Sequence, residues 1–105
     1  MTVNQFDRIV NEQINRCGDL LEYKGKEYAP GADRLAAFKK AAALQNCTQL
    51  EAALGMLAKH LVSVTDMIQS HEHYTISRWD EKITDTINYL LIMRAIIEED
   101  EDAKD

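Results

Sequence analysis

The sequence predicts an all-α fold of four helices, and three observations carry that reading. Apolar residues recur at spacings of three and four, no segment alternates cleanly with period two, and one proline and four glycines leave long stretches unbroken. A chain of 105 residues, 46% apolar, supplies one domain with a modest core. Residues 1–97 are therefore expected to form a single helical domain: two long antiparallel hairpin helices, one further long helix and one short one. The long helices look apolar on more than one side, so the fold is expected to be completed by oligomerisation, as a homodimer or higher.

The first helix is expected from Asn4 to Tyr23, where Phe6, Ile9, Val10, Ile14, Cys17, Leu20 and Leu21 form one stripe. "KGKEYAPGADR" (24–34) follows, and Gly25, Pro30 and Gly31 mark at least its second half as a loop. Asp33 is a fair N-cap for a short helix over 34–45. Thr48 with Glu51 three residues on is a capping-box signature and opens a helix to about Ser70. "HEHYT" (71–75) is the turn, and the last helix runs from Ile76 to about Glu99. The acidic tail "EEDEDAKD" (98–105) opposes the helix dipole and is expected to fray.

The net charge is −6, and no basic stripe is long enough to track a phosphate backbone, so nucleic acid is not an expected partner. No apolar run reaches membrane-spanning length, and the start lacks the basic and apolar regions of a signal peptide. Cys17 and Cys47 read as free thiols of a reducing cytoplasm.

Each hairpin helix has two faces. Leu50, Leu54, Leu57, Leu61, Val64 and Ile68 form a heptad-like seam on one, and Ile76, Trp79, Ile83, Ile87, Leu90 and Ile97 form one on the other. These seams are the expected core. The opposite sides carry Lys59, Ser63 and Asp66, and Glu81, Asp85 and Asn88, beyond which the last helix turns apolar all round. In an antiparallel hairpin turning near residue 73, facing positions sum to about 147. Asp66 is then level with Glu81, Ser63 with Asp85, and Lys59 with Asn88.

If these stripes converge, Asp66, Glu81 and Asp85 form a carboxylate cluster that a cation must answer, either Lys59 or a hard, oxygen-seeking ion such as Mg²⁺. An ion-pair network fixing the hairpin register accounts for the same residues. The segment from Tyr23 to Arg34 gathers Lys24, Lys26, Arg34, Tyr23 and Tyr28, a set suited to stacking on a base and pairing with phosphate. A surface loop balancing an acidic chain is the alternative. His60 flanks the seam as a packed histidine, and Trp79 and Phe38 read as core or interface anchors. No G-x-S-x-G, P-loop or G-x-G-x-x-G is present.

The order K…EYA…DR…F, then "GMLAKHLVSVTDM", then "WDEKITDTINYLL" resembles a family of small phage and prophage all-α proteins of uncharacterised function, over roughly residues 20 to 97. That resemblance implies a gene product acting in the bacterial host cytoplasm. Its pattern falls on Lys24, Tyr28, Asp33, Arg34, Phe38, Lys59, His60, Asp66, Trp79, Glu81, Asp85, Asn88 and Tyr89. More loosely, the helix layout is similar to the MazG-like nucleotide pyrophosphohydrolases. This second resemblance implies a Mg²⁺-dependent site between helices, usually completed by oligomerisation. Such enzymes place E-x-x-E on one helix and E-x-x-D on the next. Here the last helix offers Glu81-x-x-x-Asp85, one residue wider, and Lys59, Ser63 and Asp66 stand where the acidic pair is expected.

The resulting expectation is a nucleotide or nucleotide-phosphate binding protein. Lys24, Tyr28, Arg34, Lys59, His60 and Asn88 are the candidate ligand-binding residues, and Asp66, Glu81 and Asp85 the candidates for Mg²⁺. If it is catalytic, the reaction is pyrophosphate hydrolysis. Two other readings stay open: a non-enzymatic accessory protein that binds a host protein or sequesters a nucleotide signal, and a structural helical oligomer with buried ion pairs.

Overall fold

A computed structural model describes residues 1–28 and 33–104, apart from the side chains of Tyr28 and Lys104. The fold is all-α: α1 (Val3–Tyr28), α2 (Ala36–Gln45), α3 (Gln49–Gln69) and α4 (Ile76–Lys104), with no strand among the described residues. α1 continues past Tyr23, so Lys24, Gly25 and Lys26 are helical. Pro30 and Gly31, expected in a loop, lie outside the described residues. α4 remains helical through Lys104, past the point where the acidic end was expected to loosen. Acids there are answered by cations: Glu98 pairs with Arg94 at 3.3 Å and Glu99 with Lys39 at 3.0 Å.

The capping box forms as the sequence predicts. Thr48 Oγ1 accepts from the Glu51 N–H and Glu51 Oε1 accepts from the Thr48 N–H, both at 3.1 Å, which satisfies two of the orphan donors at the start of α3. Asp33 acts two residues earlier than an N-cap would. Its Oδ1 accepts from the Leu35 N–H at 2.9 Å, its other carboxylate oxygen pairs with Lys39, and α2 starts at Ala36 without a side-chain cap. Because Lys39 also reaches Glu99, this one lysine ties the start of α2 to α4.

α4 is the central element. α3 packs antiparallel along it, α2 packs on α3, and among the described residues α1 packs on α4 alone. α1 runs parallel to α4, with Gln13 beside Thr84 and Leu21 beside Leu91, Ile92 and Ala95. The α4 positions meeting α1 (Thr84, Ile87, Leu91) and those packed in the core (Tyr89, Met93, Ile96) lie half a helical turn apart. α1 and α3 therefore flank opposite sides of α4. Leu35, Phe38, Ala53 and Ile96 form the buried core, with Leu50, Met56, Tyr89, Ile92 and Met93 packed against it.

The expected core seams are the core only in part: Leu57 is buried and Leu50 packs against the core. Leu54, Leu61 and Ile68 on α3, and Ile76, Ile83, Leu90 and Ile97 on α4, are exposed. The buried positions are Ala52, Ala53, Leu57 and Met67 on α3, and Thr84, Asn88 and Ile96 on α4. Four of these seven, Ala52, Ala53, Thr84 and Asn88, are small or polar. Short side chains let helix axes approach closely, so contact runs along them and the bulkier residues stand outside it. The radius of gyration is 16.0 Å, against about 13 Å for a compact chain of this length. No helix among the described residues is long and apolar enough to cross a membrane.

Beyond α3, His71 sits in the left-handed region at φ 58°. A side chain in that conformation costs about 1 kcal/mol relative to glycine. His71→Gly is expected to raise the thermal midpoint by roughly 4–8 °C, measured by circular dichroism. An unchanged or lowered midpoint would show that the histidine side chain stabilises the turn by other means.

Candidate functional site

α1 is held in place by polar contacts. Gln13 Nε2 donates to Thr84 Oγ1 at 2.9 Å, Arg16 donates to Gln13 Oε1 at 2.8 Å, and Arg16 lies 3.5 Å from the Asp80 carboxylate. Thr84 is only 2% exposed, so its hydroxyl depends on Gln13 for a partner. This register carries the last turns of α1 alongside residues 88–95 of α4.

There a cavity of about 200 Å³ opens between all four helices. α4 supplies Asp85, Asn88, Tyr89 and Ile92, which lie at i, i+3, i+4 and i+7 and so share one face. α3 contributes His60, α2 contributes Ala37 and Phe38, and α1 contributes Leu21 and Lys24. Arg34 closes the set from the turn before α2. Its Nη2 donates to the Leu21 carbonyl at 3.2 Å, and its side chain lies across Gly25. A methyl group at position 25 would stand 2.9 Å from Arg34 Nε, so the missing side chain of Gly25 is what lets the guanidinium lie against α1.

One wall is aromatic. The Tyr89 ring lies 5.0 Å from His60 and 6.4 Å, edge-on, from Phe38. Burial, and secondarily the Asp85 charge, hold the Tyr89 phenol above its ordinary pKa, so it stays a neutral donor. Gln49 and Asn88 each carry a buried side-chain oxygen without a partner, and Asn88 is the one that lines the cavity. It is 6% exposed, and its Oδ1 is fully buried without a hydrogen-bond partner. An acceptor left in this condition costs about 1–3 kcal/mol, and the residue that carries it lines the cavity.

Of the candidate ligand-binding residues, Lys24, Arg34, His60 and Asn88 converge here. Lys59 is exposed and does not line the cavity. The Tyr28 side chain lies outside the described residues. Of the candidate metal ligands, Asp85 alone lines the cavity; Asp66 is exposed, and Glu81 is exposed and paired with Arg78 at 3.7 Å. Among the described residues, no group of three His, Cys, Asp or Glu side chains is placed to hold a metal ion. Phe38, expected as an anchor, and Tyr89, expected beside the polar face, are both core neighbours and cavity walls. The spacing of 85, 88, 89 and 92 carried the signal for the α4 wall. Nothing in the sequence signalled Gly25 as a seat for Arg34.

Comparison with family models, with curated proteins and with solved structures gives no match to this chain.

The raised phenol has a consequence for stability. A folded-state pKa above the unfolded value stabilises the fold below the unfolded pKa, near 10, and that contribution is lost as pH rises through the folded value. Tyr89→Phe is therefore expected to flatten the loss of stability at alkaline pH, read from urea midpoints between pH 8 and 11. An identical slope in both proteins would contradict this environment for Tyr89.

Proposed function

We propose that this chain binds a nucleotide or nucleotide phosphate, with the base in the cavity of α4 and the phosphates at Lys24 and Arg34. The observation that supports this reading most is the convergence of Lys24, Arg34, His60, Asp85 and Asn88 on one cavity with an aromatic wall. The unpartnered Asn88 Oδ1, covered in the free protein, would accept a nucleobase N–H once a shift of the side chain uncovers it. The space of about 200 Å³ falls below the roughly 300 Å³ at which drug-sized pockets begin. It admits a ring and leaves a phosphate chain at the exposed rim. Tyr89 and His60 offer faces for stacking, and Arg34 offers a planar fork for phosphate oxygens.

Magnesium enters this reading with the ligand. Mg²⁺ commonly uses one or two carboxylates plus substrate phosphates and keeps several waters, and Asp85 is the carboxylate available in the cavity. The resemblance to phage and prophage proteins supports a role in the bacterial host cytoplasm, where free nucleotides are abundant. Sequestration and hydrolysis share this site and differ only in whether phosphate leaves.

The test is a thermal-shift and calorimetric panel of nucleoside mono-, di- and triphosphates, with and without Mg²⁺, with pyrophosphate release followed in parallel. At one hundred times the dissociation constant, a ligand adds about 2.7 kcal/mol of stability. Asn88→Leu is expected to stabilise the free protein by about 1 kcal/mol or more, since it removes the unsatisfied acceptor, and to abolish the ligand shift. No shift from any nucleotide in the wild-type chain overturns the reading.

Gly25→Ala separates fold from site. Alanine improves the helix by up to about 1 kcal/mol and displaces Arg34 from its seat. The expected result is an equal or higher melting temperature together with nucleotide affinity weakened about tenfold, a loss of about 1.4 kcal/mol. Unchanged affinity would show that Arg34 does not meet the ligand.

A further inference from the structure

With α1 and α3 on opposite sides of α4, two faces of α4 remain. One holds the cavity. The other carries Ile76, Ile83, Leu90 and Ile97 at a strict seven-residue spacing, all between 39% and 76% exposed. Trp79, Thr86 and Ile87 lie between them on that side, and Asp80 borders the stripe next to α1. α3 adds Leu54, Leu61 and Ile68, again seven apart and exposed. On the other flank, Ile9, Val10 and Ile14 of α1 share a groove with Ile76, Ile83 and Ile87, bordered by Glu12 and by the Arg16–Asp80 pair. Three helices thus contribute to one apolar face on the side of α4 away from Asn88.

We infer that a second copy of this chain covers that face, pairing α3 and α4 of one protomer with α3 and α4 of the other about a two-fold axis. The area supports it. The chain exposes 7724 Å², whereas a globular monomer of 12.0 kDa exposes about 6,000 Å². The excess of roughly 1,700 Å² is about twice what one partner buries in a standard interface. The character of the face selects the partner. Seven-residue repeats on two antiparallel helices are what knobs-into-holes packing needs, and a two-fold lets the same apolar residues serve both sides. The charges that border the face on the α1 side include the mutually paired Arg16 and Asp80, its α3 and α4 stripes are apolar, and homodimer interfaces are the more apolar class. The inference is independent of what occupies the cavity.

Sedimentation equilibrium of the full chain at micromolar concentration tests it. The wild type is expected at twice 12.0 kDa. Ile83→Lys and Leu61→Lys are each expected at the monomer mass with helical circular dichroism retained. Leu44→Lys, at an 82% exposed position on α2, is expected to remain dimeric. Should the lysine variants lose their helicity, Ile83→Ala decides the matter, with dimer dissociation strengthened at least roughly fivefold. A wild type that stays monomeric, or an oligomer of any size that the lysine variants or Ile83→Ala leave intact, overturns the inference.

Discussion

The hydrogen bond from Gln13 to the buried Thr84 hydroxyl sets where α1 lies on α4, and most of what is distinctive in the structure follows from that placement. Thr84 has no room for water, so its partner must be supplied by α1. Arg16, held by Gln13 and close to Asp80, makes the register more specific. With α1 fixed on one flank and the α2–α3 pair on the other, α4 is left with two open faces of opposite character. One is polar and concave, and the other is apolar and long.

The concave face carries a local conflict that a fold alone does not require. Asn88 is buried with its carbonyl oxygen unpaired, where a leucine would leave no unsatisfied acceptor. Natural sequences break a packing rule of this kind chiefly where function needs it. Around Asn88 stand the tilted rings of His60 and the neutral phenol Tyr89, a carboxylate, and two cations at the rim, the groups that the proposed nucleotide would meet. Arg34 is not free to wander there, because Gly25 and the Leu21 carbonyl hold its guanidinium against α1. A pre-placed cation loses less entropy on meeting phosphate than an unrestrained one.

Much of this was legible in the sequence, and the part that was not has a physical explanation. The capping box at Thr48, the hairpin turn before Ile76 and the helix count follow from local rules and appear as expected. Lys24, Arg34, His60, Asp85 and Asn88 were selected from pattern and resemblance, and they meet in one cavity. The seams of Leu and Ile coincide with the core at Leu57 and Leu50 only, because hydrophobicity ranks such residues above stripes of Ala, Thr and Asn. Within one chain, closeness of approach decides, so Ala53 and Thr84 are buried while Leu54 and Ile83 are not. The expected partners Asp66 and Glu81 share a level with each other, yet level does not fix direction, and both point to solvent. Gly25 read as loop punctuation, and its use as a seat for a side chain nine residues on is tertiary information that no local pattern carries.

The central claim is that the two faces of α4 do different work, with the ligand side at Asn88. Nuclear magnetic resonance titration with a nucleoside triphosphate and Mg²⁺ tests this most directly, with the Asn88 side-chain amide and the isoleucine methyl groups followed together. The expected result is saturable shifts at Asn88, Tyr89 and Ile92 while Ile76 and Ile83 hold still. Shifts that begin at Ile76 and Ile83, or a spectrum unmoved at Asn88, would contradict the account.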